Sequence, residues 1–208
     1  MHYERIVHDV IKHVPPGTAR LVDYGAGDTL TARELARVCG HLFLCDSARR
    51  VRQRLLLRYA GEPNISVITP EEFAALPAGG IDMIVVNSVV QYVSPPEFFN
   101  LIEQSREKLR HCGLLLLADI VPRQVGPARD AIELIKFAGR AGFLLPALFG
   151  LARSYFSPYR KIRQRYGFLQ FEEAELLQSL RQRGFKVERH YPNIGHNAQR
   201  MTFRAVAS

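Results

Sequence analysis

An α/β domain on a doubly wound, mostly parallel sheet is what this sequence predicts, and three observations predict it. Strand-like apolar runs alternate with helix-like segments from residue 20 to about 120. The run "DMIVVN" is almost wholly apolar, as a strand covered by helices on both faces must be. A glycine turn, "DYGAGD", closes the first strand at the place where such sheets bind ligands.

Taken in order, residues 3–14 carry Ile6, Val7, Val10, Ile11 and Val14 at helical spacing, and "PPG" at 15–17 ends that helix. "RLVDY" predicts the first strand. Thr31 to Glu34 has the form of a capping box opening a helix to about Val38. "LFLCD" predicts the second strand, followed by a basic helix from Ala48 to about Tyr59 that Gly61 stops. "ISVI" and "DMIVVN" predict the third and fourth strands. Ser94 caps the next helix, with Pro95 at its first position and Glu97 completing the box. "GLLLLADI" predicts the fifth strand. The alternation then lapses and resumes with a helix, "EEAELLQSLRQR", and two strands, "FKVERHY" and "MTFRAVA". These last two lie close enough to form a hairpin, so one strand runs antiparallel in a Rossmann-like sheet of about seven. Residues 1–208 read as one domain, with 121–169 a helical lid or insertion after strand five.

The bulk composition bounds the function. A hydrophobic content of 47% and a charged content of 23% are those of a globular chain and exclude disorder. Cys39, Cys45 and Cys112 are scattered, with neither metal-ligand spacing nor a disulfide framework, which fits a reducing cytoplasm. The N-terminus lacks the apolar stretch of a signal peptide. The longest apolar run, 141–152, is too short to span a bilayer and contains Pro146. The net charge of +8 is concentrated between Pro122 and Phe168, where nine basic residues face only Asp130 and Glu133. A basic segment beside an apolar one points to a local role rather than to nucleic acid.

Glycines let a ligand approach the backbone with no Cβ in the way. A dinucleotide fingerprint would carry a third glycine where this chain has Leu30, which weakens hydride transfer. Pyrophosphate also needs no carboxylate at the strand end, yet Asp23 is there. An acid at that place suits a cation, and S-adenosylmethionine carries both an ammonium and a sulfonium. Asp46 closes the second strand 19 residues beyond Gly27, close to the spacing at which an acid meets ribose hydroxyls. The bland alternative is a tight turn with an aspartate cap beside Ser47.

These segments resemble class I S-adenosylmethionine-dependent methyltransferases from residue 1 to about 120 and from 170 to 208. "VDYGAGDT" resembles the first motif of that family, with Thr29 in place of a frequent third glycine, and "LFLCD" resembles its ribose-binding motif. "IDMIVVNSVVQYVSPPEFF" resembles the fourth-strand motif and is close to the "NSVVQY" stretch of N-methyltransferase domains in peptide synthetases. "LLLLADI" after "LRHCG" resembles the fifth-strand motif. The resemblance implies the cofactor S-adenosyl-L-methionine. It implies that Asp23, Gly25, Ala26 and Gly27 meet the methionine portion, that Asp46 and Ser47 meet the ribose side, and that Asn87 and Ser88 line the pocket beneath the sulfonium. In "TPEEF", Thr69 and Glu72 form a capping box, which leaves Glu71 as the adenine candidate.

Methyl transfer from a sulfonium needs alignment and exclusion of water, and a base only where the acceptor must lose a proton. His196, in the loop "PNIGHNAQR", and Tyr92 are the candidate catalytic groups; Gln91 is a candidate acceptor contact. In the insertion, Leu148, Leu151, Ala152, Tyr155, Tyr159, Ile162 and Tyr166 recur at helical steps, with Pro158 splitting the helix. Tyr155, Tyr159 and Tyr166 are expected to touch the acceptor. Arg160, Lys161, Arg163 and Arg165 suit an anionic acceptor or an anionic membrane surface, unless they form only a solvated face. The expectation is a cytoplasmic enzyme, possible at a membrane periphery, acting on a small molecule such as a natural-product, sugar or lipid intermediate. "NSVV" lacks the prolines of exocyclic-amine methylation, and no cysteine follows a proline as cytosine methylation would require. RNA ribose methylation and a non-catalytic scaffold are the alternatives.

Overall fold

The computed structural model describes residues 2–123, 169–195 and 197–208. Its core is a seven-stranded sheet: β1 Arg20–Tyr24, β2 His41–Cys45, β3 Ile65–Ile68, β4 Ile81–Asn87, β5 Leu109–Ile120, β6 Phe185–His190 and β7 Met201–Ala207. The strand order is β3-β2-β1-β4-β5-β7-β6. The first five pair in parallel, and β7 runs antiparallel to both β5 and β6. The predicted mostly parallel sheet with a C-terminal hairpin is therefore the observed one.

Alternation along the central strands divides the core between two faces. Ile84 and Val86 of β4, with Leu115 and Leu117 of β5, pack beneath α4 Pro70–Ala74, α5 Pro95–Lys108 and α6 Glu173–Gln182 through Phe73, Phe98, Ile102 and Leu176. Met83, Val85, Leu114 and Leu116 point the other way, toward α1 His2–Ile11, α2 Ala32–Ala36 and α3 Arg49–Arg58, and meet Val7, Val10, Leu35 and Leu55. Helices on both faces explain why β4 is buried over six consecutive residues.

Local sequence starts two of these six helices. Thr69 and Ser94 each accept a hydrogen bond from the backbone N–H three residues on, and Glu72 and Glu97 return the bond to the cap, with proline in the first turn. The box expected at Thr31 does not form. Thr31 Oγ1 lies 3.5 Å from Thr29 Oγ1 in the buried turn, its N–H points to the same hydroxyl, and it caps nothing. The fifth strand also begins earlier than expected. Leu109 follows α5 directly and pairs with Ile81, then the register shifts so that Leu114 meets Met83. Cys112 absorbs that shift at a φ of 60°.

After β5, Pro122 bridges Phe171, Arg123 N–H donates to the Phe171 carbonyl at 3.0 Å, and the Arg123 guanidinium pairs with Glu175. Residues 124–168 lie outside the described residues, and with them Tyr155, Tyr159, Tyr166 and the basic group 160–165. No helix of the described residues is long and apolar enough to cross a membrane.

Phe98 is fully buried against Phe171, with ring centroids 4.9 Å apart, and so ties α5 to the segment that leads into α6. Phe98→Ala should cost about 3–5 kcal/mol of stability, read as a lowered urea midpoint at unchanged slope.

Candidate functional site

The chain turns from β1 into a glycine loop that folds back on the end of β2. Gly25 N–H and Ala26 N–H both donate to the Cys45 carbonyl, at 2.8 and 3.0 Å, and Gly27 N–H donates to Asp46 Oδ2 at 2.9 Å. Gly25 and Gly27 take φ values of 78° and 58°, which side-chain-bearing residues avoid. At Gly25 a Cβ would also lie 2.2 Å from Val89 Cγ2, so glycine is required there by packing as well.

Asp46 holds the junction from the β2 side. Its second oxygen accepts from Ala48 N–H at 2.8 Å, the start of α3. Arg52 donates to the Asp46 and Ser47 carbonyls, each at 2.8 Å. Farther along α3, Arg54 pairs with Asp28, and the Arg58 guanidinium and Tyr59 hydroxyl both donate to the Thr29 carbonyl at 2.9 Å. These three pins escaped the sequence reading; no local signal links an arginine-rich helix to a loop some 25 residues earlier.

Beside the loop lies a cavity of about 290 Å³. One wall is polar, formed by Asp23, Gly25, Ala26, Gly27, Asn87 and Ser88; the facing wall is apolar, from Ile6, Val7 and Val10 of α1 and Ala32 and Leu35 of α2. Six of the predicted cofactor residues thus meet in one place. Asp46, Ser47 and Glu71 are not among the cavity's lining. Asp46 is buried under the loop, while Ser47 and Glu71 are exposed at the ends of β2 and β3. The contribution of α1 to the cavity wall was not foreseen, since amphipathic spacing says which residues face inward and not what they face.

Two acceptors in this cavity lack donors. Asn87 Oδ1 is buried with no hydrogen-bond partner among the described residues. Asp23 is half-buried and takes no hydrogen bond or ion pair from a described residue. Removal from water pushes its carboxyl up from 3.8 to about 7, and the neighbouring Asp46 carboxylate adds to the rise. Both orphans ask for a donor-rich, positively charged ligand. The loop N–H groups, in contrast, are spent on Cys45 and Asp46, so this loop is no cradle for phosphate.

The acceptor-side expectations fare unevenly. Gln91 is buried with Oε1 unpartnered among the described residues, and Tyr92 is half-buried on the 3₁₀ turn Val90–Tyr92; neither lines the cavity. His196 lies outside the described residues. Its neighbours are tied to the end of β5: Asn193 accepts from Asp119 N–H at 3.3 Å and donates to the Asn197 carbonyl at 3.0 Å. Asp119 itself, unnoticed in the sequence, accepts from the Ser88 hydroxyl at 2.7 Å. Both residues have positive φ, 58° and 61°, on adjacent strand ends, a strain that clusters at functional sites. The signal was available: Asp119 follows an apolar run as Asp23 does. Among the described residues no cluster of three or more His, Cys, Asp or Glu could hold a metal ion.

The fold is that of class I S-adenosylmethionine-dependent methyltransferases. Solved structures of low sequence identity share it over nearly the whole chain. A methyltransferase of Aquifex aeolicus is 15% identical, with 97% of this chain and 89% of that one covered at a TM-score of 0.62. Magnesium protoporphyrin IX methyltransferase of Synechocystis PCC 6803, solved with bound S-adenosylhomocysteine, is 16% identical, with 99% and 81% covered at 0.60. A Haloferax volcanii putative methyltransferase in complex with the Trm112 activator is 13% identical, with 99% and 90% covered at 0.65. No protein-family model and no curated protein matches the sequence.

Folding raises the Asp23 carboxyl from 3.8 to about 7, so the native chain keeps a proton that the unfolded chain releases. Stability from this group is full below 3.8 and is lost as the pH rises through about 7. Asp23→Asn should remove that loss and raise the melting temperature at pH 8 by about 2–4 °C, measured by calorimetry on the ligand-free protein.

Proposed function

We propose that this chain binds S-adenosylmethionine at the glycine loop and transfers its methyl group to a small-molecule acceptor. The observation that carries the reading is the pair of orphan acceptors, Asp23 and Asn87 Oδ1, in a cavity whose loop amides are already bonded. That polarity suits an ammonium and disfavours a pyrophosphate. The cofactor product bound to the Synechocystis neighbour, which shares the fold, supports it.

Each residue has a role that follows from its place. Asp23 attracts the ammonium, and the Asn87 oxygen accepts a hydrogen bond beside it. A cavity of 290 Å³ is at the small end of ligand sites, roughly 300–1,000 Å³. Asp46, Ser47 and Glu71, outside the cavity lining, would hold the ribose and adenine portions. Asp46 keeps spare lone pairs for ribose hydroxyls while holding the loop. Ile6, Val7 and Val10 exclude water from one side. When bound, S-adenosylmethionine supplies an activated methyl carbon for in-line displacement. Ser88, whose proton is committed to Asp119, presents its free lone pairs at the same strand ends. From there a hydroxyl or ammonium acceptor has a route for its proton to the Asp119 carboxylate.

Calorimetry with S-adenosylhomocysteine tests the reading, and absence of binding to the folded protein leaves a scaffold instead. Asp46→Ala should weaken that affinity by about 1–3 kcal/mol. Because binding needs Asp23 ionised, affinity should fall by about tenfold per pH unit below about 7. In Asp23→Asn the affinity should be low and flat with pH; an unchanged, pH-independent affinity removes Asp23 from the site.

A further inference from the structure

Five large apolar side chains are exposed among the described residues, and four of them lie on one stretch of chain: Leu30 (60% exposed), Val38 (38%), Leu56 (54%) and Leu57 (82%). Single exposed leucines are ordinary on a protein surface, but a concentration on one layer is not. The structure places them in one layer of the fold. The Thr29 carbonyl is held by Arg58 and Tyr59, which puts Leu30 beside the C-terminal turn of α3. Val38 follows α2, which packs in the same layer as α3 through Leu35 and Leu55.

On α3 the outward strip is set by helical spacing. Leu55 points into the core. Arg49, Gln53 and Leu56 stand at i, i+4 and i+7 on the opposite side, and Arg50 and Leu57 stand one full repeat apart beside them. All five are exposed.

The arginines of this layer divide into two sets. Arg52, Arg54 and Arg58 are bonded to the loop around Asp28, Thr29 and Asp46, while Arg33 pairs with Glu62. Arg37, Arg49 and Arg50 are exposed and make no ion pair with a described residue. Of the acids of the layer, Asp28 and Glu62 are paired and Asp46 is buried, which leaves Glu34 of α2 as the one acid without an ion pair to a described residue. Arg37, Arg49 and Arg50 outnumber it three to one, so the face combines protruding leucines with an excess of guanidinium charge.

We infer that the outer face of α2 and α3 docks on an anionic phospholipid surface, with Leu56 and Leu57 entering the acyl boundary and Arg37, Arg49 and Arg50 meeting headgroup phosphates. The leucines favour lipid over nucleic acid, which would take the arginines and leave the leucines in water. The cations favour an acidic bilayer over a neutral one, since each adds an attraction that falls off within the screening length. Neither the methyl-transfer reading nor the basic segment at 160–165 enters this inference.

Co-sedimentation of the full chain tests it, with vesicles of phosphatidylcholine alone and of phosphatidylcholine with equal phosphatidylglycerol. The chain should partition to the anionic vesicles about tenfold better, with the excess lost at about 0.5 M salt. The double variant Leu56→Ser with Leu57→Ser should bind them about tenfold more weakly, and Arg49→Glu with Arg50→Glu should lose the preference for anionic lipid. Melting temperature and S-adenosylhomocysteine affinity, measured on the same samples, should stay at the parent values, so loss of fold or of cofactor binding is separable from loss of docking. No partition, or partition that both double variants retain, overturns the inference. So does a dimer in sedimentation velocity that the leucine variant dissolves, or binding of an RNA oligonucleotide that the leucine variant leaves intact.

Discussion

The bridge that Asp46 makes between Gly27 N–H and Ala48 N–H is the constraint on which the site depends. One carboxylate joins the loop after β1 to the start of α3, and the Cys45 carbonyl beside it takes the preceding two amides. With the loop closed down on β2, Asp23 is left on the cavity wall with no donor of its own among the described residues. Had the loop amides stayed open, the same turn would be an anion site. Closing them inverts the polarity of the pocket, and the pocket then suits a cation.

That inversion has an energetic cost carried by the ligand-free protein. A half-buried carboxyl beside a second carboxylate is poorly solvated, which is why its proton is held up to about 7. A bound ammonium would supply the missing charge and relieve the penalty. The positive φ values at Ser88 and Asp119 are of the same kind. Two of the three positive-φ residues other than glycine among the described residues stand at the carboxyl ends of β4 and β5; the third, Cys112, sits at the register shift near the amino end of β5, where Ala19 and Arg20 N–H donate to Asp82. The central sheet, buried on both faces, is stiff enough to hold such strain in place.

Helix α3 links this site to the molecular surface. Arg52, Arg54 and Arg58 clamp the glycine loop, while its outer strip carries leucines and unpaired cations. Ten residues serve both purposes because a helix shows different side chains to its two sides. The arginines of α3 are therefore not one property. Arg52, Arg54 and Arg58 are spent on carbonyls and Asp28, whereas Arg49 and Arg50 make no ion pair with a described residue.

The succession of strands along the chain, the hairpin and the two capping boxes at Thr69 and Ser94 were legible in the sequence, because each rests on neighbours a few residues apart or on a period of two or 3.6; the order of the strands in the sheet came from the structure. That Asp23, Gly25 and Gly27 gather at one strand end was legible from the glycine turn, and Asn87 from the resemblance of the fourth-strand segment; the structure brings the four to one cavity. Thr31 was misread because a hydroxyl two residues away competed with the helix for its N–H, and propensity does not weigh such a rival. The start of β5 was missed because a register shift, not a turn, separates it from α5. What only the tertiary structure decided was polarity and enclosure: which amides are spent, which acceptors are left without donors, that α1 forms the far wall, and that Asp119 stands behind Ser88. Those depend on contacts between residues 19 to 81 positions apart in the chain, which no local pattern encodes.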